Sequence, residues 1–213
     1  MFFIVSLGLL LFLPVWTVNY WQAWVFLAVF SVLVLAITLY LMQNDSKLLE
    51  RRVNAGAGAE KEKIQKIIQS IASIAFIALF LISSIDHRLG WSFVPTYAVI
   101  VGDILVVLGL LVVFLVFKVN TFTSAIIETS ADQKVISTGP YAIVRHPMYA
   151  GAFVMLIGVP FALGSYWGLF AVILLIVAII FRLLDEEKFL VKNLTKYSDY
   201  RKKVKYRLVP FLW

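Results

Sequence analysis

The 213-residue chain has no cysteine, only two histidines and few charges. Without cysteine there is no disulfide framework, no thiolate metal site and no cysteine nucleophile. The two histidines, His87 and His146, fall on opposite sides of the membrane in the reading below, so no metal is expected. Charged residues make up 15% of the chain, against about 25% in an ordinary soluble domain. No stretch is polar and long enough to form a separate soluble domain. Any chemistry must therefore be built from helix ends and the loops between them. The Ala/Gly run in "NDSKLLERRVNAGAGAEKEK" lacks the lysine and hydroxyl that a phosphate-cradling loop places after its glycines. It reads as a flexible link beside a short cytoplasmic helix.

What is present instead is apolar surface. Hydrophobic residues account for 62% of the chain, and mean hydropathy is +0.94. Six apolar segments, at 2–18, 22–42, 64–85, 94–117, 148–164 and 166–184, approach the ~20 residues needed to cross about 30 Å of hydrocarbon. The expected fold is all-α: a polytopic integral membrane protein with five to six transmembrane helices. Segment five is short and ends at Pro160, so segments five and six are expected to form a C-terminal hairpin. Residues 185–213 space Phe189, Leu190, Leu194, Tyr197, Tyr200 and Val204 three and four apart, predicting an amphipathic tail helix that Pro210 ends. Residues 1–117 read as amino-terminal spans and residues 118–213 as the region that carries the chemistry.

The first segment has neither a basic n-region nor a small-residue cleavage site, so it is expected to stay as a helix. Tyr20, Trp21 and Trp24 suit an interfacial aromatic belt. Of the nineteen lysines and arginines, all but Arg88 lie in the even-numbered loops and the tail. The positive-inside rule then puts both termini in the cytoplasm, whether the membrane is a prokaryotic plasma membrane or the endoplasmic reticulum. The net charge of +7 is thus a topology signal with some attraction to anionic lipid head groups, and nucleic acid is not an expected partner.

Asp103 is an ionisable residue within segment four, a functional candidate by default. It is read as lying near the outer interface, bonded to Ser, Thr or backbone of a neighbouring helix, because the other candidate chemistry is cytoplasmic. After segment four, "FTSAIIE" and "KVIST" carry β-branched residues around a polar turn, which predicts a small extended excursion. The Asn193-Leu194-Thr195 sequon falls in the cytoplasmic tail and is discounted.

Two motifs carry polar groups where the chain is otherwise apolar. In "STGPYAIVRHPMYAG", Pro147 suits the first turn of a helix, whose start attracts anions. Arg145 and His146 precede it, Tyr141 and Tyr149 bracket it, and Gly151 permits close approach. The motif reads either as an anion and aromatic pocket or as a snorkelling arginine beside a capping histidine. In "RLLDEEKFL", Arg182 and Glu186 share a helix face, while Glu187 is turned about 100° away. An Arg–Glu pair of this kind is common on helices, yet acids at a helix C-terminus oppose the macrodipole unless a cation meets them. In a hairpin these motifs lie side by side. Guanidinium, imidazole, carboxylates and aromatic rings together suit S-adenosylmethionine, with its α-ammonium, α-carboxylate, sulfonium and adenine.

"TGPYAIVRHPMYAG", "RLLDEEKFL" and "YSDYRKKVKYRLVPFLW" together resemble the isoprenylcysteine carboxyl methyltransferase family, related to the phospholipid N-methyltransferases. The likeness covers roughly 118–213; segments one to three match only as generic spans, where acceptor choice is expected to reside. The resemblance implies a cytoplasmic-facing S-adenosylmethionine site. Tyr141, His146, Pro147, Tyr149, Gly151 and Glu187 would bind the cofactor, and Arg182 and Glu186 would act in catalysis. Arg182 would orient an acceptor carboxylate bidentately or bind that of the cofactor. A lipophilic acceptor would enter from the bilayer, and the tail helix would close over the cofactor. The alternative is a membrane sterol or steroid reductase using NADPH, whose tail signature "VKYRLVPFLW" partly echoes. The Glu186–Glu187 pair favours an ammonium over a dinucleotide's phosphates. A scaffold or transporter is the third class; transporters concentrate charge near the midplane, where this chain has only Asp103.

Overall fold

The computed structural model describes residues 2–129 and 133–213, and among them every regular element is helical. The helices are α1 (Phe2–Val15), α2 (Trp21–Asn44), α3 (Ser46–Val53), α4 (Lys63–Leu89), α5 (Thr96–Val119), α6 (Pro147–Ala162), α7 (Gly168–Asn193) and α8 (Tyr197–Lys203). A 3₁₀ turn, Gly139–Ala142, precedes α6. The chain is thus an all-α, polytopic membrane protein. Helices α2, α4, α5 and α7 are long and apolar enough to cross a bilayer, while α1 and α6 are shorter apolar helices. The expected five to six spans resolve into these four and two.

Local chemistry explains the boundaries. Asp45 caps α3 by accepting from Leu48 N at 3.0 Å. Gly90, at φ 65°, ends α4 in the left-handed conformation that glycine adopts without strain. Pro147 opens α6 at a position that requires no N–H.

Two expectations are corrected here. The tail is not one helix ended by Pro210: α7 runs on through "RLLDEEKFLVKN", the chain turns at Lys196 (φ 68°), and α8 stops at Lys203. The extended excursion after α5 is also absent. Residues 120–129 and 133–138 form turns and irregular backbone, and Ser130–Asp132, between the two stretches expected to be extended, lie outside the described residues.

The closest packing is between α5 and α6. Gly102 and Gly109 of α5 face Gly158 and Gly151 of α6. A Cβ at Gly109 would lie 2.5 Å from Gly151 O, and one at Gly158 would lie 2.6 Å from Gly102 O. Small residues permit such approach in lipid, where van der Waals packing rather than the hydrophobic effect joins helices. Segments five and six do form a hairpin, but α6 rests mainly on α5, and α7 rests on α4. Val32, Ile74, Ile104 and Ile173 remain exposed on the outer surface, as lipid-facing residues would be. Asp103 is buried, and its Oδ1 has no hydrogen-bond partner among the described residues, unlike the bonded carboxylate expected.

The end of the bundle away from His146 is clasped by one carboxylate. Asp86 accepts from Ser92 N at 2.8 Å, Ser92 Oγ at 2.6 Å and Ser165 Oγ at 2.5 Å. Beside it, His87 stacks on Tyr20 with ring centroids 3.8 Å apart. Tyr20 Oη donates to Leu163 O at 2.7 Å. These contacts tie the α1–α2, α4–α5 and α6–α7 connections together, so the six apolar helices share a fixed base.

Gly109→Ala should lower stability by about 1–3 kcal/mol, the usual cost of overpacking, measured by thermal unfolding in detergent. Gly8→Ala is the control: a Cβ there meets nothing within 4 Å, and the midpoint should not fall.

Candidate active site

At the opposite end, a cavity opens between α6, α7, α8 and the segments following α5. Its wall includes Asn120, Ile126, Val135, Tyr141, His146, Pro147, Tyr149, Arg182, Glu186, Tyr197 and Tyr200. The two sequence motifs therefore meet, as the hairpin reading required. Six of the eight predicted residues, Tyr141, His146, Pro147, Tyr149, Arg182 and Glu186, stand on this wall. Gly151 instead packs against Gly109 of α5. Glu187 lies behind the wall, in an ion-pair cluster with Arg145 and Arg207.

That cluster shapes the start of α6. Arg145 Nη2 meets Glu187 at 2.8 Å, and Arg207 Nε donates to the same carboxylate at 2.7 Å. Arg145 is buried and does not snorkel; its Nη1 also donates to the carbonyls of Val204 and Lys205. Backbone pairing reinforces the join, with Arg145 N donating to Tyr206 O and His146 N to Arg207 O, each at 2.9 Å. The non-helical tail is thus stitched to the residues that lead into α6. In a helix beginning at Pro147, the N–H groups of Met148 and Tyr149 have no intrahelical acceptor.

Arg182 departs from its expected use. It makes no ion pair with Glu186 among the described residues. Its Nη1 meets Glu60 at 2.6 Å and donates to Gln65 and Gln69 at 3.3 Å. Its Nη2 donates to Ala125 O at 2.8 Å, and its Nε to Tyr149 Oη at 3.2 Å. Tyr149 Oη in turn donates to Glu186 at 2.6 Å. With its donors shared among these groups, Arg182 is not presented as a free fork for bidentate capture of a carboxylate. Gln65 also donates to Asp185.

Glu60, Gln65 and Gln69 were missed in the sequence because nothing marks a single polar residue in a loop or helix start as a partner for a residue over 110 positions away. The reading of loop 43–63 as an Ala/Gly link beside a short helix hid a buried carboxylate, Glu60. Arg52, read only as a topology charge, donates to Ser124 O at 2.7 Å and lies over the Phe117 ring. Burial lowers its pKa, the Tyr149 and Glu186 side of the site opposing that shift.

The cavity's aromatic wall is held by hydrogen bonds. Asn120 Nδ2 donates to Tyr141 Oη, and Tyr200 Oη to Tyr141 O, both at 2.8 Å. Burial pushes the Tyr141 phenol up to about 12, so it remains a neutral donor. Burial and then the Glu187 and Glu186 carboxylates raise the Tyr197 phenol as well. His146 is 5% exposed; burial holds its pKa below the usual 6.5 despite those two glutamates. Two buried polar atoms on this wall, His146 Nε2 and Tyr197 Oη, have no hydrogen-bond partner among the described residues. Such groups are costly when left unpaired, so each is a place that a ligand atom or a water would fill. Neutral imidazole, neutral phenols and the Glu186 carboxylate fit a ligand that combines a cation with hydrogen-bonding and aromatic parts, as S-adenosylmethionine does. Among the described residues, no three His, Asp or Glu side chains converge to hold a metal.

A second depression adjoins the first at Pro147. It is apolar, lined by Val112, Leu115, Val119, Ile143, Ala150 and Leu208 among others, with a volume of about 1080 Å³ including its open mouth.

Residues 97–197 match the family model described as phospholipid methyltransferase, the family related to the isoprenylcysteine carboxyl methyltransferases. The match runs from α5 to the first residue of α8 and contains both motifs. The stretch that forms most of the cavity is thus similar in sequence to phospholipid methyltransferases. No curated protein matches the chain.

Two outcomes are expected. Glu187→Gln leaves Arg145 buried without its counter-charge and should cost about 3–5 kcal/mol of stability, with protease cleavage appearing first in residues 197–213. The depressed His146 pKa means the unfolded state binds the proton more readily. Stability should be fully present above pH 6.5 and fall on acidification toward the folded-state value. His146→Gln should flatten that slope in thermal melts taken between about pH 5 and 7.

Proposed function

We propose that the protein is an integral membrane methyltransferase that moves a methyl group from S-adenosylmethionine to a lipophilic acceptor at the cytoplasmic face. The acceptor is an isoprenylcysteine-like carboxylate or a lipid amine. One observation carries this reading: a polar cavity with two unpartnered buried groups, His146 Nε2 and Tyr197 Oη, adjoins an apolar depression at Pro147. A water-soluble donor and a membrane-soluble acceptor need that juxtaposition. The cytoplasmic placement rests on the lysine and arginine distribution.

S-adenosylmethionine supplies an electrophilic methyl on a sulfonium. His146 Nε2, Tyr197 Oη and the N–H groups of Met148 and Tyr149 would bind its polar groups, and Glu186 its ammonium. The faces of Tyr141, Tyr149 and Tyr200 would favour the cation. Tyr149 keeps Glu186 oriented by donating to it. Val112, Leu115, Ile143 and Ala150 would hold the acceptor's apolar chain, so that its polar end reaches the cavity with water excluded. Positioning then supplies most of the rate. A carboxylate acceptor needs no base; an amine acceptor would give its proton to Glu186. The reductase reading is less favoured. Phosphates need free cations, and Arg145 and Arg182 already serve Glu187 and Glu60.

The test is incubation of the purified protein, in nanodiscs containing a lipid extract, with methyl-labelled S-adenosylmethionine. Labelled lipid is expected, and its headgroup chemistry identifies the acceptor. With an amine acceptor, Glu186→Gln should lower kcat about 100-fold or more; with a carboxylate acceptor it should chiefly raise the KM for the methyl donor. Tight NADPH binding together with no response to S-adenosylhomocysteine overturns the proposal.

A further inference from the structure

Glu60 is a buried carboxylate that does not line the cavity, lies outside the matched residues 97–197, and touches the site through Arg182. Its surroundings raise a question of charge. Arg182 and Glu186 stand four residues apart on one helix face, where oppositely charged side chains ordinarily meet. In this structure they do not. Glu60 Oε1 takes Arg182 Nη1 at 2.6 Å, Gln65 and Gln69 accept from the same nitrogen, and the Tyr149 hydroxyl stands between Arg182 Nε and Glu186.

We infer that Glu60 is a positioning residue that draws the Arg182 guanidinium away from Glu186, leaving the Glu186 carboxylate available for a cationic ligand in the cavity. The physical reason is competition for one buried cation. Without Glu60, the carboxylates on Arg182's own helix face are Asp185, which Gln65 already engages, and Glu186, which lines the cavity. A guanidinium that settles there cancels the charge meant for the ligand. Glu60 also accepts from Ile127 N at 3.4 Å. Arg182 Nη2 holds the neighbouring Ala125 O. The same carboxylate therefore holds the arginine and the loop that walls the cavity. Through it, the connector between α3 and α4 supports a cavity whose lining residues lie in the carboxy-terminal half.

This inference rests on the reading of the cavity as an S-adenosylmethionine site, and the experiment separates the two. S-adenosylhomocysteine binding is measured by calorimetry on full-length protein in detergent, with a thermal midpoint recorded for each variant. Wild type should bind, and Glu60→Gln should bind about 10- to 100-fold more weakly, the range seen when the outer partner of a metal-binding side chain is lost. Glu60→Asp should recover part of that loss, and Glu62→Gln, an exposed charge two residues on, should lose nothing. In an Arg182→Gln background, Glu60→Gln should add no further weakening, because the cation it restrains is gone. A purely structural Glu60 would lower the midpoint while leaving the affinity of the folded fraction unchanged, and that result overturns the inference. So does full additivity of the two substitutions. A wild type that binds no S-adenosylhomocysteine overturns the functional reading, and this inference with it.

Discussion

A charge withdrawn from water must find its counter-charge inside the protein, and the cavity end of this molecule is organised by that requirement. Glu187 sits between Arg145 and Arg207 with almost no exposure. Removing Glu187 would leave the buried Arg145 without its counter-charge, a larger loss than the pair itself contributes. Since Arg145 precedes α6, Glu187 belongs to α7 and Arg207 to the tail, satisfying this one cluster brings three remote stretches to a common point. The polar cavity is what lies beside that point.

The architecture was legible because apolar length and the spacing of charges are local properties. Segments of about 20 apolar residues announce helices regardless of what they pack against, and "RHP" before an apolar run marks a helix start through the geometry of proline. The meeting of Tyr141, His146, Pro147, Tyr149, Arg182 and Glu186 followed from the hairpin. The tail was misread because its three- and four-residue spacing continues across Lys196. There the backbone turns so that Tyr197 and Tyr200 pack on Tyr141, Leu190 and Leu194. Periodicity records which side chains seek burial; here the burial is against a loop and a helix end, which a break serves better than a straight helix.

The partners of Arg182 were illegible for a different reason. Helical spacing predicted Glu186, which is nearby in sequence, and Glu60 won through tertiary proximity. A flexible-looking Ala/Gly stretch carries no trace of the helix face it will meet. Likewise, Arg145 could be read as lipid-facing or pocket-facing until Glu187 was seen opposite it. In a membrane protein most side chains are apolar and interchangeable in pattern, so the few polar ones have several local readings and a single tertiary answer.

The glycine contacts between α5 and α6 also bear on how a bulky molecule could be admitted. Two backbones in direct contact have no side-chain layer to deform between them, and twisting either helix about its axis would drive a neighbouring side chain into the other's carbonyl groups. The two therefore behave as a single stiff plank, fixed at the far end by the Asp86 clasp. Parting these helices would break that close contact. The segment after α5, by contrast, walls the cavity with irregular chain.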